Sequence, residues 1–290
     1  GRRNRRCRCH QVKASRKRPK TDAQAYAMNN GSVHPPMRYQ RMPAVFLGHG
    51  SPMNAITDNP FRKSWMALGR ELPKPRAVLC ISAHWESDEP RVCAAARPDT
   101  LHDFGGFPAE LFAVRYPAPG SPSLAQEVVM STNAEVMTDM HWGLDHGAWQ
   151  VLMHLFPMAD VPIVQLSLSR TYSAEKHVAL ARKLAALRDA GVMVLGSGNI
   201  VHNLRMLSPG LTPDWATAFD AATAEAIARR DIAALSDFGG FPGAALAVPT
   251  PEHYWPLLYV MAMAKPDEPL QMFNTAYDWG SISMRSLRIG

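Results

Sequence analysis

Residues 77–85, Ala-Val-Leu-Cys-Ile-Ser-Ala-His-Trp, join a short apolar run to a histidine at its end. Continuous apolar runs of this length are typical of strands that are buried on both faces, as in the parallel sheets of α/β proteins. Three other runs have the same character, at residues 44–47, 161–168 and 192–195. The sequence therefore predicts a central, largely parallel β-sheet.

The segments between these runs have the pattern of helices. Residues 173–190 carry leucines on one face, with Ser173 as a candidate N-cap and Gly191 in the C-cap position. Residues 214–235 are rich in alanine and predict a second helix. Strands that alternate with helices predict a single α/β domain over residues 42–290, with helices flanking the sheet.

Charge is divided unevenly between this domain and the residues before it. Residues 1–41 hold 12 Lys and Arg and one acid, a net charge of +11, whereas the other 249 residues hold 19 basic and 24 acidic residues, a net of −5. The basic segment has few aliphatic residues, so we expect it to be a disordered N-terminal extension. The acidic domain lacks the electrostatic footprint of a DNA-reading module, which leaves nucleic-acid binding to the basic arm alone.

The composition also indicates where in the cell the protein is expected. No apolar run reaches the roughly 20 residues needed to cross a bilayer, and the Arg-rich start lacks the apolar segment of a secretory signal. Cys7 and Cys9 lie in the basic segment, which leaves Cys80 and Cys93 in the domain. So few cysteines predict a reduced, cytoplasmic protein. The sequence leaves a monomer and a homo-oligomer equally open.

Histidines follow three of the predicted strands. His49 lies two residues beyond the first strand, His84 two beyond the second, and His202 seven beyond the fourth. Ligands of open α/β sheets bind beyond the carboxyl ends of the strands, so we expect these imidazoles to converge at one edge. Further candidates are His146 and the Glu252-His253 pair, which lie among glycine, proline and aromatic residues.

Converging imidazoles with few thiols indicate a transition-metal site. Ligands from separate loops, surrounded by apolar residues, favour a catalytic metal over a structural one. The residues alone therefore predict a metalloenzyme of unspecified reaction. A zinc-dependent hydrolase that activates water is one interpretation of the same cluster.

Six segments, in order along residues 42–290, resemble the class III extradiol ring-cleaving dioxygenases, specifically the DOPA 4,5-dioxygenase-like branch. They are FLGHGSPMNAI (46–56), ISAHW (81–85), HDFGGFP with RYPAPGSP (102–108, 115–122), WGLDHGAW (142–149), GSGNIVHNLR (196–205) and TPEHYWPLLY (250–259). The resemblance implies one divalent metal, Fe(II) for dioxygenase activity or Zn(II). It also implies a small aromatic diol such as L-DOPA as substrate, cleaved at the 4,5-bond with O₂.

The resemblance further suggests a role for each candidate. His49 and His84 look like metal ligands, with His253 as the third. The broader class uses a carboxylate at the third position, which keeps Glu252 open. His202 looks like the acid/base histidine and could close onto the metal as a fourth ligand, and His146 resembles a pocket histidine near substrate and oxygen.

Aromatic side chains near these motifs are expected to form the wall that binds the substrate ring. The candidates are Trp85, Phe107, Trp149 and Tyr254. Core packing is the alternative for each of them. The hexapeptide Asp-Phe-Gly-Gly-Phe-Pro occurs twice, at residues 103–108 and 237–242, and predicts two similar loops rather than a duplicated domain.

Overall fold

The computed structural model describes residues 39–290 of the chain. The predicted disorder of the basic extension falls mainly on residues 1–38, outside the described residues. None of the helices within residues 39–290 is long and apolar enough to cross a membrane.

Ten strands are present in the described chain. They are β1 (Ala44–Gly48), β2 (Ala77–Ser87), β3 (Arg91–Cys93), β4 (Met137–Asp139), β5 (Ile163–Ser169), β6 (Val192–Gly198), β7 (Leu270–Phe273), β8 (Tyr277–Asp278), β9 (Ile282–Ser283) and β10 (Ser286–Ile289). Eight of them form one sheet in the order β4-β3-β5-β2-β6-β1-β10-β7, while β8 and β9 pair separately. The central strands β5, β2, β6 and β1 are parallel, and β3 and β10 run antiparallel to their neighbours β5 and β1. The predicted largely parallel sheet is confirmed.

Helices cover both faces of this sheet. They are α1 (Pro60–Glu71), α2 (Ala109–Ala113), α3 (Pro122–Ser131), α4 (His146–Leu155), α5 (Ala174–Leu184), α6 (Asp214–Ala228), α7 (Ile232–Ser236), α8 (Ala244–Ala247) and α9 (Trp255–Ala262). Leu79 and Ile81 of β2 face the core that contains α5 and α9, whereas Val78 and Cys80 face the core that contains α1 and α4. Residues 77–81 of β2 are all apolar, as expected for a strand segment that is buried on both sides.

The two long predicted helices are shorter in the structure. Ser173 caps α5 by accepting the amide of Lys176, as predicted, but the helix ends at Leu184 and continues to Gly191 as a 3₁₀ turn. The second predicted helix breaks after Ala228, because Arg230 adopts a left-handed conformation with φ of 54°. A new helix, α7, then begins.

One irregularity of the sheet bears directly on the site. Between β2 and β5, Ile81 pairs with Leu166 but Glu86 pairs with Leu168, so β2 carries three extra residues in a bulge. His84 lies within this bulge. Bulges commonly re-aim side chains beside active sites, and this one moves His84 out of the regular alternation of the strand.

A buried ion pair lies at the other end of the sheet, near the residues that precede β1. The Arg188 side chain is 0% exposed and lies 2.6 Å from Glu268, which also pairs with Arg41 at the end of the predicted extension. Burial acts to raise the pKa of Glu268, but the Arg188 hydrogen bond and its other partners outweigh it and lower that pKa from 4.5 to about 2. A depressed carboxyl pKa stabilises the fold above the unfolded-state pKa, and this stabilisation is lost as the pH falls through the folded-state value.

We therefore expect Glu268→Gln to lower the free energy of unfolding by about 3 kcal/mol at pH 7, because it leaves the Arg188 charge buried and unpaired. The difference from the wild type should persist down to pH 4.5 and shrink as the pH approaches 2. Urea unfolding at a series of pH values measures it. Glu225→Gln is the matched control: Glu225 is 73% exposed and pairs with Arg229 at 3.6 Å, so its loss should cost less than about 0.5 kcal/mol. Equal costs for the two variants would contradict this account.

Candidate metal centre

Five imidazoles converge at the carboxyl edge of the parallel strands. His49 directly follows β1, His84 lies in the bulge of β2, and His202 lies four residues beyond β6. His146 is the first residue of α4, and His253 lies two residues before α9. Ring centroids are 5.0 Å apart for His49 and His84, 5.4 Å for His49 and His253, and 5.0 Å for His84 and His253. The structure therefore brings together all five histidines selected from the sequence.

The hydrogen bonds around His49 determine which of its ring nitrogens carries the proton. The Ser197 hydroxyl donates to the Gly147 carbonyl at 2.5 Å, so it accepts from Nδ1 of His49 at 3.0 Å. Nε2 of His49 is then unprotonated. It faces Nε2 of His84 at 3.1 Å.

This close pair of nitrogens fits a shared metal ion. When two imidazole nitrogens bind the same metal ion at about 2.1 Å, they lie about 3 Å from each other at the usual nitrogen–metal–nitrogen angles. Burial, followed by the neighbouring imidazoles, lowers the pKa values of His49 and His84 well below 6.5. Both rings are therefore neutral, which is the form that binds metals.

His253 offers a third nitrogen. Its Nδ1 donates to Oε1 of Glu252 at 3.0 Å, while its buried Nε2 has no hydrogen-bond partner among residues 39–290. Glu252 also accepts from the Thr250 hydroxyl at 2.9 Å, and it does not line the cavity. The unpartnered Nε2 makes His253 the better donor of the pair, with Glu252 holding its ring in place.

His202 lies flat against His253. The two ring centroids are 3.5 Å apart and the ring planes differ by 7°. Burial, and then the nearby His146, lowers the pKa of His202 to about 4, so this ring is neutral and able to accept a proton. His202 belongs to the cavity lining together with the other four histidines.

Asp103 is a site residue that the sequence interpretation missed. Its Oδ1 accepts the backbone amide of His146 at 2.8 Å, and its Oδ2 lies 2.9 Å from Nδ1 of His146 and 3.5 Å from Nδ1 of His84. Burial acts to raise the pKa of Asp103, but the hydrogen bond and charge of His146 outweigh it and lower that pKa. One carboxylate thus orients two imidazoles. The available signal was the repeated hexapeptide, whose first copy begins at Asp103.

A cavity of about 890 Å³ opens in front of the five histidines. Its apolar wall includes Phe61, Phe104, Phe107, Leu204, Leu207, Trp279 and Ile282. This volume is more than enough for one aromatic ring with a side chain, and the apolar lining suits such a ring. The first copy of the hexapeptide contributes to the wall, whereas the second copy is not part of the lining.

The predicted ring-binding wall is wrong for three of its four residues. Phe107 lines the cavity, but Trp85, Trp149 and Tyr254 do not. Trp85 stacks on Trp142 at a centroid distance of 5.1 Å. Trp149 is buried and donates its indole N–H to the Leu101 carbonyl at 2.7 Å, and Tyr254 packs in the core against Phe238, 4.5 Å away.

Comparison with known proteins gives concordant results. Residues 43–239 match the family described as the catalytic LigB subunit of aromatic ring-opening dioxygenase. The chain is 44% identical over 262 residues to the 4,5-DOPA dioxygenase extradiol of Escherichia coli (strain K12), covering 88% of this chain and 97% of that protein. It is 38% identical over 254 residues to the 4,5-DOPA dioxygenase extradiol of Beta vulgaris, covering 84% and 94%. The crystal structure of an uncharacterized protein from Escherichia coli K12 superimposes with a TM-score of 0.76 at 41% identity, covering 86% of this chain and 100% of that one.

Proposed function

The chain belongs to the LigB family of aromatic ring-opening dioxygenases and is an extradiol dioxygenase; from this premise we propose that it cleaves a catechol such as L-DOPA at the 4,5-bond. The observation that carries this proposal is the convergence of the rings of His49, His84 and His253, whose centroids lie 5.0–5.4 Å apart, on one wall of the cavity. We propose that the Nε2 atoms of these rings hold one Fe(II).

The donor set fits such a metal. Three neutral imidazoles suit iron or zinc. A site with three protein ligands also leaves coordination positions open for the substrate. When bound, the metal would orient the diol and O₂ and transfer electron density from the ring to oxygen. The names of the two relatives above support L-DOPA as the substrate.

The remaining histidines supply the proton transfers. His202 is neutral and lines the cavity beside His253, so it can accept a proton from a catechol hydroxyl. His146 donates its Nδ1–H to Asp103, which leaves its Nε2 free to accept a proton released by the diol and to return that proton as the ring opens. The apolar wall of phenylalanines keeps bulk water from the reacting ring.

If Asp103 orients His146 and His84, then Asp103→Asn should lower kcat by about 10–100-fold and weaken metal binding. The side chains of Asp and Asn are alike in shape, so the fold should be retained. Asp237→Asn is a matched control, because Asp237 holds the same position in the second hexapeptide and does not line the cavity. Steady-state kinetics and a metal titration compare the two variants. Equal kcat values for both would show that Asp103 has no such role.

A zinc-dependent hydrolase is the alternative for the same cluster. Purification without oxygen, followed by loading with either iron or zinc, separates the two functions. We expect the iron-loaded protein to consume O₂ with L-DOPA in an oxygen-electrode assay and to give a ring-opened product. Absence of O₂ uptake with any catechol, together with hydrolysis by the zinc-loaded protein, would overturn the proposal.

Two further proposals concern the cellular compartment and the basic N-terminal arm. The free thiols Cys80 and Cys93 support a reducing compartment, and we propose the cytoplasm. Nucleic-acid binding by residues 1–41 is the alternative function of the basic arm, and it requires salt-dependent DNA binding that is lost when those residues are deleted.

A further inference from the structure

The charged residues of the cavity are all acidic. Among residues 39–290, the lining includes two carboxylates, Asp103 and Asp278, and no lysine or arginine. Asp103 is engaged by His146 and His84. Asp278 is therefore the carboxylate available to a substrate.

Asp278 has hydrogen-bond partners but no cation among the described residues. Its Oδ2 accepts the Ser51 amide at 3.4 Å, and the Asn54 side chain and the Trp279 amide provide further hydrogen bonds. No lysine, arginine or histidine of the described chain forms an ion pair with it, and burial raises its pKa. A partly buried carboxylate without a cation is costly, and a ligand that brings a positive charge recovers that cost.

The neighbours of Asp278 suit an organic cation. Trp279, the next residue, lines the cavity and is 50% exposed. Its φ of 48° is a strained conformation for a bulky residue, and its carbonyl accepts the Ser208 amide at 2.8 Å, which holds that conformation. An indole face beside a carboxylate attracts ammonium groups through both cation–π and charge interactions.

Asp278 lines the same cavity as the five histidines. Ser51, which donates to Asp278, is two residues beyond His49. The diol end of the substrate faces the histidines, while Asp278, Trp279 and Leu207 belong to the same continuous lining. The carboxylate is thus in the cavity but makes no hydrogen bond with the five histidines.

On the basis of the ring-cleaving function proposed above, we propose that Asp278 binds the ammonium group of an aminoalkyl side chain on the substrate. The site then selects catechols that carry an ammonium, whether cationic or zwitterionic, over catechols whose side chain carries only a carboxylate. Asp278 is a specificity-determining residue that contacts the substrate away from the ring carbons that react. L-DOPA, which carries an ammonium, belongs to the selected class.

The test compares three catechols with different side chains: dopamine with an ammonium, ethylcatechol with no charge, and dihydrocaffeate with a carboxylate. For the iron-loaded wild type we expect kcat/KM to be at least about tenfold higher for dopamine than for dihydrocaffeate, because only dopamine can form a hydrogen bond between two charged groups with Asp278. In Asp278→Asn, the ratio of kcat/KM for dopamine to that for ethylcatechol should fall to about one. Asp278→Glu should restore part of the ratio. Using ratios removes any general loss of activity from the comparison.

A binding measurement keeps the test independent of turnover. Calorimetric titration of the full-length zinc-loaded protein with dopamine and with dihydrocaffeate should show the same order of affinity, and Asp278→Asn should abolish the difference. Equal kcat/KM and equal affinity for the two ligands in the wild type would overturn the role of Asp278 while leaving ring cleavage in place. If the iron-loaded protein cleaves neither L-DOPA nor any of the three, the ring-cleaving function fails, and the calorimetric order alone then upholds or overturns the ammonium site.

Discussion

His49→Ala and His84→Ala are each expected to abolish tight metal binding and, with it, all O₂ uptake. The two Nε2 atoms are 3.1 Å apart, and His146, which has a ring nitrogen within 4.8 Å of both residues' ring nitrogens, is held through its Nδ1 by Asp103. His49 is also 1% exposed and is held by Ser197, so its loss leaves a hole that solvent must fill. Removing one of three ligands leaves too few donors for a stable mononuclear site.

The metal content of the purified, iron-loaded variants measures this effect directly. His141→Ala is the control, because His141 is exposed and does not line the cavity. We expect the control to bind one metal per chain, as the wild type does. Stoichiometric iron in either His49→Ala or His84→Ala would remove that residue from the ligand set.

His202→Ala should have a different effect. The imidazole lies against His253 rather than within the close His49–His84 pair, and its proposed role is to accept the proton of the catechol. Loss of a positioned acid/base group lowers kcat by about 10²–10⁴-fold. The metal content should stay near that of the wild type, so kcat and iron stoichiometry are measured on the same preparation.

The comparison of these variants decides whether His202 is a fourth ligand of the metal. If His202→Ala loses metal as completely as His49→Ala, then His202 is a ligand, as the sequence also allowed. If it keeps both its metal and its kcat, another group takes the proton. Circular dichroism of each variant checks that the fold is retained.

The convergence of the histidines was predictable from the sequence for a simple physical reason. Short apolar runs specify buried parallel strands, and parallel strands present their carboxyl ends at one edge. His49 and His202 follow such strands and His84 lies near the carboxyl end of one, so their meeting depends on topology rather than on the details of packing. Errors in the predicted ends of the strands did not affect this prediction. β2, for example, extends beyond its predicted end through the bulge that holds His84.

The aromatic wall was not predictable in the same way, because it depends on where individual side chains point. Trp85 and Tyr254 each directly follow a site histidine, but neighbouring side chains point in different directions, both in the strand that holds Trp85 and in the helical conformation of Tyr254. Trp85, in β2, accordingly stacks on Trp142, and Tyr254 packs in the core. Trp279 replaces them in the cavity wall through a left-handed backbone conformation that nothing in the local sequence indicates.

The repeated hexapeptide shows how tertiary context assigns function to identical residues. In the first copy, Asp103 contacts His146 and His84, and Phe104 and Phe107 line the cavity. In the second copy, Phe238 packs against Tyr254 and Phe219 in the core. The six letters predict a loop in both places, but only the neighbouring strands and helices decide which loop carries the carboxylate that orients the site.

The central claim is that three imidazole Nε2 atoms hold one metal ion at the floor of the cavity. A crystal of the full-length protein loaded with Fe(II) without oxygen, with diffraction recorded at the iron absorption edge, tests it most directly. We predict one anomalous peak per chain, bonded to Nε2 of His49, His84 and His253, with His202 and His146 facing it across the cavity. A peak elsewhere, or one bonded to Glu252 in place of His253, would contradict this account.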